Sequence, residues 1–115
     1  MASIEQLRIL GRGIGAWNDW RKAHPEVRPD FVGAFLMYAD LAGGDFHDAD
    51  FTGADLRRSN LTEANLGGAN FRSADLIAAR LTGATVIGAS FQAAFVSGGA
   101  LGGVDLSAAY VIGAS

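Results

Sequence analysis

The sequence predicts a β solenoid, a chain wound into a coil of short extended segments, with one amphipathic helix in front of it. Three observations carry this expectation. In ADFTGADLRRSNLTEANLGGANF, residues 49–71, every fifth residue is large and apolar: Phe51, Leu56, Leu61, Leu66 and Phe71. Two positions before each stands a small residue, Ala49, Ala54, Ser59, Ala64 or Ala69, with one residue between, Asp or Asn at each of these sites. The register then holds without insertion from Phe31 to Val111, giving 17 centres, of which nine are Leu, five Phe and three Val. Five is the period of neither a helix nor a strand, so the repeat itself must define the architecture.

The local geometry follows from the pattern. In extended chain, residues two apart point the same way, so each centre shares a face with the small residue before it. Five residues cannot continue that alternation, and a bend must intervene in every repeat. Gly occupies the position two after the centre in nine of the 17 repeats, which places the turn there. The small inward position is Ala in 12 of the 17, as a narrow interior requires. Residues 20 apart include Phe31, Phe51, Phe71 and Phe91, with Val111 completing the series, so four of the five Phe centres share one side. The corresponding series Leu36, Leu56, Leu76, Val96 and Leu41, Leu61, Leu81, Leu101 define two more. This segregation predicts four repeats per coil.

Ahead of the repeats, Ser3 to Ala23 reads as a single helix. Ser3 and Gln6 fit a capping box. Ile4, Leu7, Leu10, Ile14, Trp17 and Arg21 recur at steps of three and four, the signature of one helix face. Gly11, Gly13 and Gly15 weaken such a helix by about 0.5–1 kcal/mol each, so packing must hold it. Pro25 pushes His24 out of the helical region and ends the element. The expected division is therefore a helix and linker over residues 1–28 and the repeat body over 29–115.

The units AGGDF, ADF, GADL, RSNL, EANL, GGANF and SADL resemble the pentapeptide repeat family across residues 29–115. The resemblance implies a right-handed quadrilateral β-helix with four pentapeptides per turn, so about four coils, closed at the start by a capping α-helix. AWNDWRKAHPEVRPDF is similar to the short helix that precedes the first coil in many bacterial members. In several of those the repeats are followed by another module, including TIR-type signalling domains. Family likeness further implies a role in scaffolding or self-association, with regulation of DNA gyrase by a DNA-mimicking rod as the alternative.

Composition sets the limits. With 115 residues and 16 Gly, the chain forms one small domain with a core of small pieces. Cysteine is absent, which excludes disulfides and thiolate chemistry. No apolar run approaches a membrane span and no basic-then-apolar leader opens the chain, so a soluble cytoplasmic protein is the expectation. Residues 1–28 carry five basic groups against three acidic ones, and residues 29–115 four against nine, a balance of +2 and −5 respectively. That mildly acidic body is a poor footprint for direct nucleic-acid binding.

A search for chemistry finds none. GRGIG, residues 11–15, follows no strand and lacks the Lys-Ser/Thr of a phosphate loop. His47 stands among Asp45, Asp48 and Asp50, but one His and one carboxylate on an outward face are too few for a metal. His24 has no nucleophile beside it. Trp17 and Trp20 read as core of the helix, with a partner anchor as the lesser reading. The Asp/Asn run before the centres reads as side chains bonding turn backbone, with a DNA-like acidic surface as the lesser reading. No catalytic residue, metal or cofactor is expected. After Leu76 the Asp/Asn position becomes Arg80, Thr85, Ser90, Phe95, Ala100, Asp105 and Tyr110, while outward positions gain Ile77, Ile87 and Ile112. Ile77, Ile87, Phe95, Tyr110 and Ile112 are therefore the candidate interaction residues, for self-association through the last coil or contact with a downstream domain.

Overall fold

The computed structural model describes residues 1–96 and the backbone of Tyr110 and Val111. Each repeat is a short extended run followed by a turn, too short to form long strands. Most pairing therefore takes the form of isolated parallel bridges between successive coils, such as Asp30 with Asp50 and Asp45 with Asn65. Phe31 N–H donates to the Asp50 carbonyl at 2.8 Å, and Asp50 N–H to the Pro29 carbonyl at 2.9 Å, the alternation of a parallel ladder. The ladder lengthens into strands β1 (Asp75–Leu76), β2 (Ser90–Phe91), β3 (Phe95–Val96) and β4 (Tyr110–Val111). β1 pairs with β3, Asp75 facing Phe95, and β2 pairs with β4, Ser90 facing Tyr110. Both pairings keep the spacing of the isolated bridges. A repeat that meets its partner four repeats later makes a coil of four sides. Side one carries Phe31, side two Leu36, side three Leu41 and side four Phe46, each with its successors.

The turn explains why the period is five. Ala34 N–H donates to the Phe31 carbonyl at 3.0 Å, and Gly33 between them has φ of 68°, as a type II turn requires. The same positive φ occurs two after the centre at Tyr38, Asp48, Arg58, Glu63, Ser73, Ala78 and Ala93, where no glycine is present. Each such residue carries roughly 1–2 kcal/mol of strain, which the ladders on either side of it offset.

The inward residues fill the coil. Every centre from Phe31 to Val96 is buried, as are the Ala residues two before them apart from the partly buried Ala39. The side-one rings stack, Phe51 on Phe71 at 4.9 Å and Phe71 on Phe91 at 4.8 Å between centroids. Phe46, on side four, lies edge-on to Phe31 and Phe51. Its ring occupies the space a side chain at 44 would need: a Cβ there would collide with the ring, and the small inward residue is glycine.

The segment ahead of the repeats differs from the sequence expectation. It forms two helices, α1 (Ile4–Leu10) and α2 (Ile14–Ala23), in place of one. Gly13 precedes α2 with φ of 108°, a conformation that ends helical continuity and suits glycine alone. The buried face of α1 also differs from the expected one: Ile4 is exposed, whereas Gln6 is buried. Ser3 does cap α1 by accepting from Gln6 N–H at 3.2 Å. The reciprocal half of the capping box is absent, because the Gln6 carboxamide accepts from Asp30 N–H at 2.7 Å. Among the described residues no helix is long and apolar enough to cross a membrane.

Candidate interaction surface

The outward positions show what the Asp/Asn run is for. At every such position from Asp30 to Asp75 except Phe35, the side chain before the centre accepts from the N–H two residues on. Asp30 accepts from Val32, Asp40 from Ala42, Asp45 from His47, Asp50 from Thr52, and so on to Asp75 from Ile77. These Asx turns give each repeat its own use for the residue.

The helical segment is joined to the first coil by polar contacts. Trp17 is fully buried against Phe31 and Phe46, and its indole N–H donates to the Asp45 carbonyl at 2.9 Å. Asn18 accepts from Asp45 N–H at 2.8 Å. Arg21, 2% exposed, donates to the Val27 and His47 carbonyls. His47 Nδ1 lies 2.6 Å from Asp45 Oδ1, and Nε2 lies 2.9 Å from Arg21 Nη2. An imidazole donating at Nδ1 and accepting at Nε2 satisfies both neighbours. Burial lowers the Arg21 pKa, an effect the charges of Asp45 and Asp48 oppose. Partial burial pushes the Asp45 carboxyl up, but hydrogen bonds from His47 and the Arg21 charge outweigh it, and the group sits below its ordinary value. His47 and Asp45, too few to hold a metal, thus serve a structural junction.

The candidate interaction residues are not all brought together. Ile77 and Phe95 fall on side two, Phe95 being 52% exposed. Ile87 is exposed on side four, across the coil from them. The backbone of Tyr110 pairs with Ser90 on side one. The side chain of Tyr110, and Ile112 altogether, lie outside the described residues. Side two also holds residues the sequence reading passed over. Its outward column runs Phe35, Asp55, Asp75, Phe95 through successive pairings. Phe35 is 87% exposed, and Met37 and Tyr38 beside it are exposed as well. Between the aromatic ends, Arg57 holds Asp55 at 2.8 Å and reaches Asp75 at 3.7 Å. The hydrogen bond from Arg57 lowers the Asp55 pKa. The available signal was Phe35 itself, which interrupts an otherwise unbroken run of Asp and Asn from Asp30 to Asp75.

A solenoid of five-residue units with a stacked apolar interior and Asx-stabilised corners defines a class of repeat protein. The family model described as pentapeptide repeats matches residues 29–58 and 54–92, more than half of the chain. The chain belongs to the pentapeptide repeat family, whose members fold as right-handed quadrilateral β-helices and are generally structural or interaction modules. Among solved structures it is similar to a pentapeptide repeat protein of the Arabidopsis thaliana thylakoid lumen, at 25% identity and TM-score 0.48, covering 75% of this chain and 60% of that one. Rfr23 from the cyanobacterium Cyanothece is 30% identical with TM-score 0.47, covering 78% and 62%. The plasmid-mediated fluoroquinolone resistance protein QnrB1 is 23% identical with TM-score 0.40, covering 76% and 55%. The chain thus spans about three fifths of the length of the first two. Comparison with curated proteins finds no match.

Proposed function

We propose that this chain is a non-enzymatic binding module that associates with itself through its far end. The observation that carries the reading is Phe95, 52% exposed at a ladder position where the two preceding coils of the same side place Asp55 and Asp75, with Ile77 on the same side. In this reading the register runs on through Val111 to make just over four coils, in keeping with the pairing of β2 with β4. The helical segment over residues 1–28 caps the opposite end, so pairing of two far ends gives a closed, two-fold dimer. A coil end without a cap exposes ladder groups and core side chains, which proteins cover. A downstream module, such as the TIR-type domain found in other members, is the competing cover for the same edge.

Light scattering on the purified chain tests this. The wild type is expected to be dimeric at tens of micromolar, and a Phe95→Arg, Tyr110→Arg, Ile112→Arg triple variant monomeric. A monomeric wild type at that concentration ends the reading. A DNA-mimicking regulator of DNA gyrase is the weaker alternative: the acidic side chains are held in turns, and the side-two column sets only two carboxylates, Asp55 and Asp75, between aromatic ends. Inhibition of gyrase supercoiling by the purified chain would favour it.

A further inference from the structure

The near end of the coil, remote from the far-end contact just proposed, is only half closed. On side one, Asp30 N–H is taken by Gln6, and Ser3 N–H donates to the Asp30 carbonyl at 2.9 Å. On side four, Asp45 N–H is taken by Asn18, and its carbonyl by the Trp17 indole. On sides two and three the equivalent groups belong to Phe35 and Asp40. Among the described residues no hydrogen bond reaches the backbone N–H or C=O of either. Phe35 and Asp40 line a groove of about 520 Å³ whose other wall is the helical corner at Leu7, Leu10, Gly11 and Gly13.

We propose that this groove is a peptide-binding site, in which an extended segment of a partner protein adds the missing half-coil to the Phe35 and Asp40 rungs. The ladder specifies the occupant. Within the coil, each centre N–H donates to the carbonyl before the stacked centre, and the next coil returns the bond: Leu36 N–H to the Asp55 carbonyl, Asp55 N–H to the Ala34 carbonyl. A segment lying above Phe35 and Asp40 in the same register meets all four free groups, which a folded surface without exposed strand edge does not. Its two apolar side chains, five positions apart, face Leu7, Leu10, Leu36 and Leu41. Asn or a basic residue suits the place above Asp40 better than an acidic one, since like charges directly opposite weaken a ladder. Within the coil Asp40 is paired with Asn60, although the Asp30–Asp50 pair shows that an acidic partner is tolerated. The site continues a contact already made, because the covered half of the same edge is paired by Ser3 and Gln6. This is strand addition to an open sheet edge, with backbone bonds supplying affinity and the groove wall selecting side chains.

The chain supplies its own probe. A blocked synthetic peptide with the sequence of residues 54–62, ADLRRSNLT, has two leucines five apart, Asn for the Asp40 rung and a net charge of +1. Titrated into the ¹⁵N-labelled 115-residue chain, it is expected to shift the amide signals of Phe35 and Asp40 saturably and to slow their hydrogen exchange by at least about tenfold. A scrambled peptide is expected to do neither. Phe35→Pro removes the free N–H while leaving every hydrogen bond the chain itself makes, and should abolish the effect as read at Asp40. Phe35→Ala keeps the donor and should retain it. Unchanged Asp30 and Asp45 amides report that both variants are folded. The proposal is overturned if millimolar peptide leaves the two amides unmoved, or if the scrambled peptide or the proline variant performs equally well. It is also overturned if both amides are already protected without peptide, whether by the chain's own residues or, with dependence on protein concentration, by a second copy.

Discussion

Ser59 shows how narrowly the interior is specified. It stands at the small inward position and is fully buried, yet its hydroxyl has no hydrogen-bond partner. Leaving a buried hydroxyl unpaired costs about 1–3 kcal/mol, and Ala occupies the same slot in the repeats on either side. Ser59→Ala is therefore expected to raise the free energy of unfolding by about 1 kcal/mol, read from the denaturant midpoint. A variant that unfolds more easily than wild type would mean the hydroxyl is satisfied, and the account of this position would have to be abandoned. The opposite constraint acts at position 44, where the tilt of Phe46 leaves no room even for a methyl group.

At the scale of elements, the join between α2 and the first coil depends on charge as well as packing. The folded state holds Asp45 below its ordinary carboxylate value, as it does Asp55. A group with a depressed folded pKa contributes stability that is fully present above its unfolded pKa, about 3.9, and disappears as the pH falls through the folded value. Asp45→Asn isolates this contribution, because Asn makes the same Asx turn at positions 60, 65 and 70. The variant should melt below wild type at neutral pH, and the gap should close as the pH is lowered below about 4. A gap that stays constant with pH would assign the loss to packing. The Asp45 N–H donates to Asn18 and its carbonyl accepts from Trp17, so both bonds use the backbone and are unaffected by the change.

For the whole molecule, stability is shared between coils that contact only their neighbours, so an end matters more than any interior repeat. The helical segment satisfies both ladder groups on two of the four sides of the first coil and covers Phe31 with Trp17. Removing residues 1–24 exposes the Asp30 and Asp45 rungs and the Phe31 and Phe46 rings together. The shortened chain is expected to aggregate, as seen by light scattering of the soluble fraction, since an open ladder edge over apolar rings is a template for pairing. A truncated protein that remains soluble and monomeric would argue against the capping role.

The repeat was legible in the sequence because its causes are local and translationally repeated. Phe or Leu at every fifth position, Ala two before it and Asx between fix which side chains point inward, where the turn falls and which residues stack from coil to coil. Each of these can be checked within one unit and is confirmed many times over by its copies. The ends have no such redundancy. The glycines at 11, 13 and 15 mark a weak stretch of helix, but that the chain breaks at Gly13 is decided by how the two halves pack, which no single position announces. The diversion of Gln6 from its own helix to Asp30, and the burial of Arg21 beside His47, depend on contacts between segments distant in the chain. Each is made once, with no period to reveal it. Of the exposed apolar residues, Ile87 and Phe95 are legible as outward positions in the sequence, whereas Phe35 with Met37 and Tyr38 is not. Phe35 and Phe95 are three 20-residue periods apart, so the four-repeat coil read from the sequence already sets them on one side. What only the tertiary structure decides is that Phe35 stands beside an unpaired edge, because the helical segment covers sides one and four and leaves side two open.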